Sequence, residues 1–191
     1  MTELHVLLVL GEARPGPWHW QQWLAGRLRE HDVPVEQVDD DAAPERLRAR
    51  LAAVAPEAEL AVAAHAAGAL RWLEHASAAS DHERRADRVL LVAPPAVAHP
   101  PDARALRRVA ASTRIVAGTG DPRLPDTQDL AADLQVVLDV ILDGGRLDLD
   151  AGYGPWPSVL RWALYGALPV ADRSDGEPRT EDRSPRRLRL V

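Results

Sequence analysis

The sequence predicts an α/β protein, a three-layer α/β/α sandwich around about six mostly parallel strands. Two observations carry this. Residues 4–10 (L-H-V-L-L-V-L) and 89–93 (V-L-L-V-A) are short, near-continuous apolar runs, the pattern of strands buried on both faces of a parallel sheet. Between such runs lie segments whose apolar residues recur at helical spacing, so strands and helices alternate along the chain.

Taken in order, the 4–10 strand ends at Gly11, and a Gly/Pro-rich loop runs to Trp18. Residues 20–29 carry Trp20, Trp23, Leu24 and Leu28 on one helical face. Residues 33–38 read as the second strand, and an acidic stretch at 39–43 opens a helix running to about Val54, with Leu47 and Leu51 inward. Residues 60–64 form the third strand, which turns at Ala64-His65-Ala66-Ala67-Gly68 into a helix carrying Leu70 and Leu73 inward. The fourth strand, 89–93, is stopped by Pro94 and Pro95, which cannot donate to a ladder. A short helix at 104–110, a strand at 114–117, a helix at 126–134 and a strand at 136–142 follow. Gly144-Gly145 ends that strand, and residues 158–168 close the domain as an amphipathic helix.

The 191 residues suit one domain, expected over 1–170, too short for a core of this kind plus a separate lid domain. Residues 171–191 mix Asp, Glu and Arg with almost nothing to bury and are expected to form a disordered tail. There is no cysteine, which removes disulfides, thiolate metal sites and a cysteine nucleophile. The histidines show no pairing with acids at ligand spacing, so neither metal nor cofactor is implied. A net charge of -6 argues against nucleic acid as the main partner. No long apolar run and no signal-peptide pattern is present, so no membrane association and a soluble, cytoplasmic location are expected.

Four separated segments give the chain a more specific character. Gly16-Pro17-Trp18-His19-Trp20-Gln21 follows the first strand; His65 and Gly68 flank Ala66. Asp121 stands four residues before Pro125 in G-T-G-D-P-R-L-P, and Gly145-Arg146-Leu147-Asp148 precedes G-Y-G-P-W-P. In this order and register they resemble the small serine hydrolases that include retinoblastoma-binding protein 9 and the bacterial YdeN-like proteins. The resemblance implies an α/β-hydrolase fold with strand order 2-1-3-4-5-6. Position by position, it places the family's nucleophile, acid and base at Ala66, Asp121 and Arg146.

Only the acid is retained there, so no intact catalytic set is expected. Acyl transfer needs an oxygen or sulfur nucleophile and an imidazole that can take its proton. Alanine has no lone pair, and arginine stays protonated to about pH 12 and beyond. A histidine after the acid would be needed, yet the last one is His99. Asp121 and Arg146 are expected to face each other as an ion pair, either pinning two loops or anchoring an anionic or carbonyl ligand. A vestigial pocket is expected from Gly11, Glu12, Trp18, His65, Ala67 and Asp148, with Trp18 as a wall and Trp20 and Trp156 in the core. His75, like His82, is expected to be solvated at a polar helix exit. Without a rate to protect, the turn at Ala66 is expected to relax to an ordinary conformation.

Three functions remain open from the sequence. The first is a pseudoenzyme that binds a small ligand or a protein partner. The second is an enzyme using the same pocket for cyclisation, isomerisation or lyase chemistry. The third is a residual esterase.

Overall fold

The computed structural model describes residues 3–11, 15–39 and 43–173. Glu12 and most of the expected tail, residues 174–191, lie outside them.

Six strands form one sheet: β1 (Leu4–Val9), β2 (Val35–Val38), β3 (Glu59–His65), β4 (Ala86–Val92), β5 (Ala110–Gly118) and β6 (Val137–Ile141). Their order is β2-β1-β3-β4-β5-β6, and every neighbouring pair is parallel. The helices are α1 (Trp20–Glu30), α2 (Pro44–Ala53), α3 (Ala67–Ala78), α4 (Ala103–Val109), α5 (Leu124–Leu134) and α6 (Pro157–Tyr165). The chain therefore has the three-layer architecture that the alternation of apolar runs predicts.

Strand alternation divides the core in two. Leu7, Val9, Leu60, Val62, Val89 and Leu91 point to one face, where α2, α3, α4 and α5 bury Leu47, Leu51, Trp72, Leu73, Leu106 and Leu130. Val6, Leu8, Ala61, Ala63, Leu90 and Val92 point to the other, covered by α1 and α6 through Trp20, Leu24, Leu28, Val159 and Trp162. Both faces are covered, which is why the central strands read as continuous apolar runs rather than alternating ones.

The departures from the expected elements have local causes. β5 begins four residues early, because Ala110-Ala111-Ser112-Thr113 pairs with β4 straight out of α4 although it is not an apolar run. The last helix stops at Tyr165, since Gly166 takes a left-handed conformation (φ 66°) that caps it. In α3 the inward residues are Trp72 and Leu73, with Leu70 only half-buried. His75 is buried instead of solvated, against the Trp72 ring and 3.7 Å from Glu83. Ala171, beyond the expected domain boundary, accepts hydrogen bonds from Trp156 Nε1 and Ser158 Oγ.

Candidate functional site

The sheet's carboxyl ends converge on the connection between β3 and α3. His65 ends the strand, Ala67 begins the helix, and Ala66 alone makes the turn with φ 46° and ψ -116°. This is a left-handed conformation that an L-residue adopts at a cost of about 1–3 kcal/mol. The expected relaxation has not occurred. The reason is packing on either side of the turn. A Cβ on Gly68 would collide with the Val9 carbonyl oxygen and lie 2.6 Å from that of Leu10, so α3 starts directly against β1. A Cβ on Gly11 would lie 2.7 Å from the His65 carbonyl oxygen and 2.8 Å from its Nδ1. Ala66 N–H meanwhile donates to Val92 O at 2.9 Å, continuing the β3–β4 ladder into the turn. The elbow is fixed by its neighbours, whatever residue occupies its tip.

Ala67 is the first residue of α3, so its N–H is one of the helix's orphan donors. Gln21, to which the sequence assigns no role beyond closing the Gly16–Gln21 segment, supports the elbow from below. It is fully buried, and its Nε2 donates to Val9 O at 2.9 Å and to Ala63 O at 3.4 Å, tying α1 to two strand ends.

Two imidazoles lie beside the turn. The His65 ring is buried 5.0 Å from that of His19 and edge-on to Trp20. Its Nε2 lies 3.3 Å from the Arg146 carbonyl oxygen, which can only accept, so Nε2 carries the proton and Nδ1 is left with a lone pair and no partner among the described residues. Burial lowers the His65 pKa to about 3, helped by His19 and opposed by the Arg146 carbonyl and Asp148. His19 caps α1, its Nδ1 accepting from Gln21 N at 3.2 Å, which places its proton on Nε2. Burial lowers its pKa to about 4 against the pull of Asp148. A polar residue one place before a helical run was the signal that could have singled out His19.

Asp121 and Arg146 do not pair. Asp121 is held by Arg123: Oδ1 accepts from the Arg123 backbone N at 3.0 Å and its Nε at 3.1 Å, and Oδ2 from Nη2 at 3.0 Å. Partial burial raises the Asp121 pKa, but the Arg123 bonds and charge, with the Arg146 charge, outweigh it and leave the pKa below the usual carboxylate value. A partner two residues away in the same turn closes a far shorter loop than one across the site. Arg146 presents its carbonyl to His65 and its side chain, 61% exposed, to solvent, with Nε 3.8 Å from Asp148 Oδ2.

Asp148 Oδ1 accepts from Ala151 N at 3.0 Å. Its loop and the turn before α1 border a depression of about 180 Å³ lined by Gly16, His19, Asp148, Leu149 and Asp150. Trp18 does not wall it in: the residue is 79% exposed. Trp20 and Trp156 are core residues in edge-to-face contact. Among the described residues no group of His, Asp and Glu could hold a metal ion, and no helix is long and apolar enough to cross a membrane.

Strand order, elbow and loop positions together make a comparison with known proteins informative. The model of the serine hydrolase family matches residues 6–163. The chain belongs to the serine hydrolase family. Among solved structures, the YdeN protein of Bacillus subtilis superposes with a TM-score of 0.70 at 17% identity, over 84% of this chain and 97% of that one. A protein described as YdeN-like from Pectobacterium atrosepticum gives 0.62 at 23% identity, over 85% and 90%. The esterase LipW of Mycobacterium marinum gives 0.55 at 15%, over 85% and 74%. At these identities the structural likeness carries the fold alone. No curated protein matches the sequence.

Proposed function

We propose that this member of the serine hydrolase family acts by binding a small ligand at the mouth of the elbow and not by acyl transfer. One observation carries the reading: the tip of a fully formed elbow is the methyl group of Ala66, where acyl transfer requires a nucleophilic oxygen or sulfur. The surroundings support it. Asp121 is occupied by Arg123 rather than by an imidazole, and the residue at the family's base position, Arg146, is a guanidinium turned to solvent.

The persistence of the strained turn favours a retained catalytic geometry, and with it the second reading, an enzyme of non-acyl chemistry. The imidazoles at hand argue against that reading. With pKa values near 3 and 4, His65 and His19 are neutral and far from the operating pH at which a general base works best. The strain has a structural source in the close approaches at Gly11 and Gly68. The absence of cysteine supports a reducing compartment such as the cytoplasm.

The test is turnover of short-chain nitrophenyl esters together with fluorophosphonate labelling. The natural protein is expected to be silent, and the double variant Ala66→Ser, Arg146→His to gain labelling. Ester turnover by the natural protein well above buffer overturns the proposal.

A further inference from the structure

Between α2 and α3 lies a cavity that shares no lining residue with the depression beside His19. It holds about 310 Å³, within the range of small-ligand pockets, about 300–1,000 Å³. Pro44, Leu47 and Ala78 give it apolar surface.

His75 sets this cavity apart. Its side chain is only 3% exposed, its ring lines the cavity, and neither ring nitrogen has a hydrogen-bond partner among the described residues. Glu83 Oε2 is 3.7 Å from Nδ1, beyond hydrogen-bond reach. Burial lowers the His75 pKa, against the pull of Glu83, so the ring is neutral at pH 7 and carries one donor and one acceptor. Buried polar atoms are ordinarily paired, so an open imidazole at a cavity wall calls for polar atoms inside the cavity.

The charged residues of the lining divide into a closed pair and an open one. Arg71 Nη1 and Glu74 Oε2 hold each other at 3.0 Å. Glu45 has no partner among the described residues. Arg48 is tethered only by Glu83 Oε2, 3.7 Å from its Nε, so it can turn to a ligand without breaking a hydrogen bond. Glu45 and Arg48 stand three residues apart on α2, side by side on one face, opposite in charge and not spent on each other.

Ligands of a single charge use this set poorly. An anion suited to Arg48 would meet Glu45, and a cation suited to Glu45 would meet Arg48. A purely apolar molecule would leave His75 open. A zwitterion with adjacent ammonium and carboxylate groups uses every one: the carboxylate accepts from the Arg48 guanidinium, the ammonium donates to Glu45, and the imidazole bonds to either. An apolar side chain then lies against Leu47, Pro44 and Ala78. The volume corresponds to about ten waters at liquid density, the space of one free amino acid.

We propose that the cavity between α2 and α3 binds a free α-amino acid with an apolar side chain. Arg48 anchors the carboxylate, Glu45 anchors the ammonium and His75 is the polar contact at the wall. The site stands apart from the elbow, so ester turnover by the natural protein would leave it untouched.

The experiment is a titration of the full, ¹⁵N-labelled chain with L-leucine and L-phenylalanine, each to tens of millimolar, followed by NMR. At least one is expected to shift the Glu45, Arg48 and Ala78 amides and the His75 ring nitrogens saturably, leaving the Gly16 and Asp150 amides in place. Glu45→Gln and Arg48→Gln, at positions open to solvent where the fold does not depend on the charge, are each expected to weaken binding about tenfold. The same molecules without the ammonium (isocaproate, hydrocinnamate) or without the carboxylate (isoamylamine, phenethylamine) are expected to bind at least about tenfold more weakly. The proposal is overturned if neither amino acid shifts these signals, if either variant binds as well as the natural chain, or if an acid or amine alone binds as well as its parent, marking a site for one charge.

Discussion

Gly68 lies so close to the Val9 carbonyl oxygen that a Cβ at residue 68 would overlap it. The neighbouring Leu10 carbonyl offers no relief at 2.6 Å, and both obstacles are backbone, at the last residue of β1 and the one after it. Gly68→Ala must therefore push α3 off the sheet, and overpacking of this kind destabilises by about 1–3 kcal/mol. Gly26 is the contrasting case: it sits inside α1 with nothing within 4 Å of its would-be Cβ. Gly26→Ala is expected to stabilise by about 0.5–1 kcal/mol through helix propensity alone. Denaturant melts of the two variants test this, and equal effects would show that α3 is not held by the close approach.

The Asp121–Arg123 clasp makes a second prediction that separates the observed pairing from the one expected between Asp121 and Arg146. Arg123→Ala removes the side-chain bonds and the charge that lower the Asp121 pKa, leaving the backbone N–H bond and the Arg146 charge, and is expected to cost about 1 kcal/mol at neutral pH, since the pair is partly screened by solvent. Arg146→Ala, with its mostly exposed side chain, is expected to change stability by less than about 0.5 kcal/mol. The sign with pH follows from the direction of the shift. A carboxyl whose folded pKa is depressed stabilises above its unfolded pKa, and the contribution is lost as pH falls through the folded value. The gap between the natural chain and Arg123→Ala should therefore narrow below the ordinary carboxylate range. A gap that persists unchanged into strong acid would rule out the charge as its origin.

The buried imidazoles act in a higher window. His65 and His19 have folded pKa values near 3 and 4 against 6.5 unfolded, and His75 is lowered too, in each case with burial as the largest cause. Below pH 6.5 the unfolded chain takes up protons that the folded chain refuses, so stability falls as pH falls from there towards 4. The slope approaches about 1.4 kcal/mol per pH unit for each histidine. Above pH 7 these groups contribute no slope. Denaturation midpoints at pH 7, 6 and 5 should show a plateau and then a decline. Assigned NMR signals of His19 and His65 that titrate near 6.5 in the folded protein would contradict the burial that sets this behaviour.

Much of the fold was legible because its signals are local. The runs at 4–10 and 89–93 announce strands covered on both faces, and Gly68 announces a close approach two residues after the turn. The loops at the site were less legible, because pairing there is decided by side-chain direction, which spacing does not encode. Arg146 was expected to reach Asp121, but its peptide turns the carbonyl towards His65 and the guanidinium outward, and Arg123 closes on the acid first. The relaxed turn expected at Ala66 failed for a related reason. Residue identity at 66 says nothing of the packing at 11 and 68 that holds the backbone there. His75 was misjudged because charged neighbours in sequence, Glu74 and Glu83, suggested solvent, whereas the helix turns its ring onto Trp72.

Gln21 gives the last prediction. Its amide Nε2 donates to the carbonyls of Val9 and Ala63 at the ends of β1 and β3, the two strands that flank the elbow's approach. Replacing it with leucine keeps the apolar volume but leaves those carbonyls without this donor in a dry interior, at a cost of about 1–3 kcal/mol. Gln21→Glu brings a carboxylate instead, which must be protonated to donate at all, so it should cost more at pH 8 than at pH 5. Because the Val9 carbonyl is also the surface on which Gly68 rests, loosening it should be felt at the turn. Hydrogen exchange of the Ala66 amide, bonded to Val92 O, is the readout. Both variants are expected to speed that exchange more than a surface substitution of equal effect on global stability. Exchange that simply tracks global stability would mean that Gln21 holds α1 to the sheet and has no special part in the elbow.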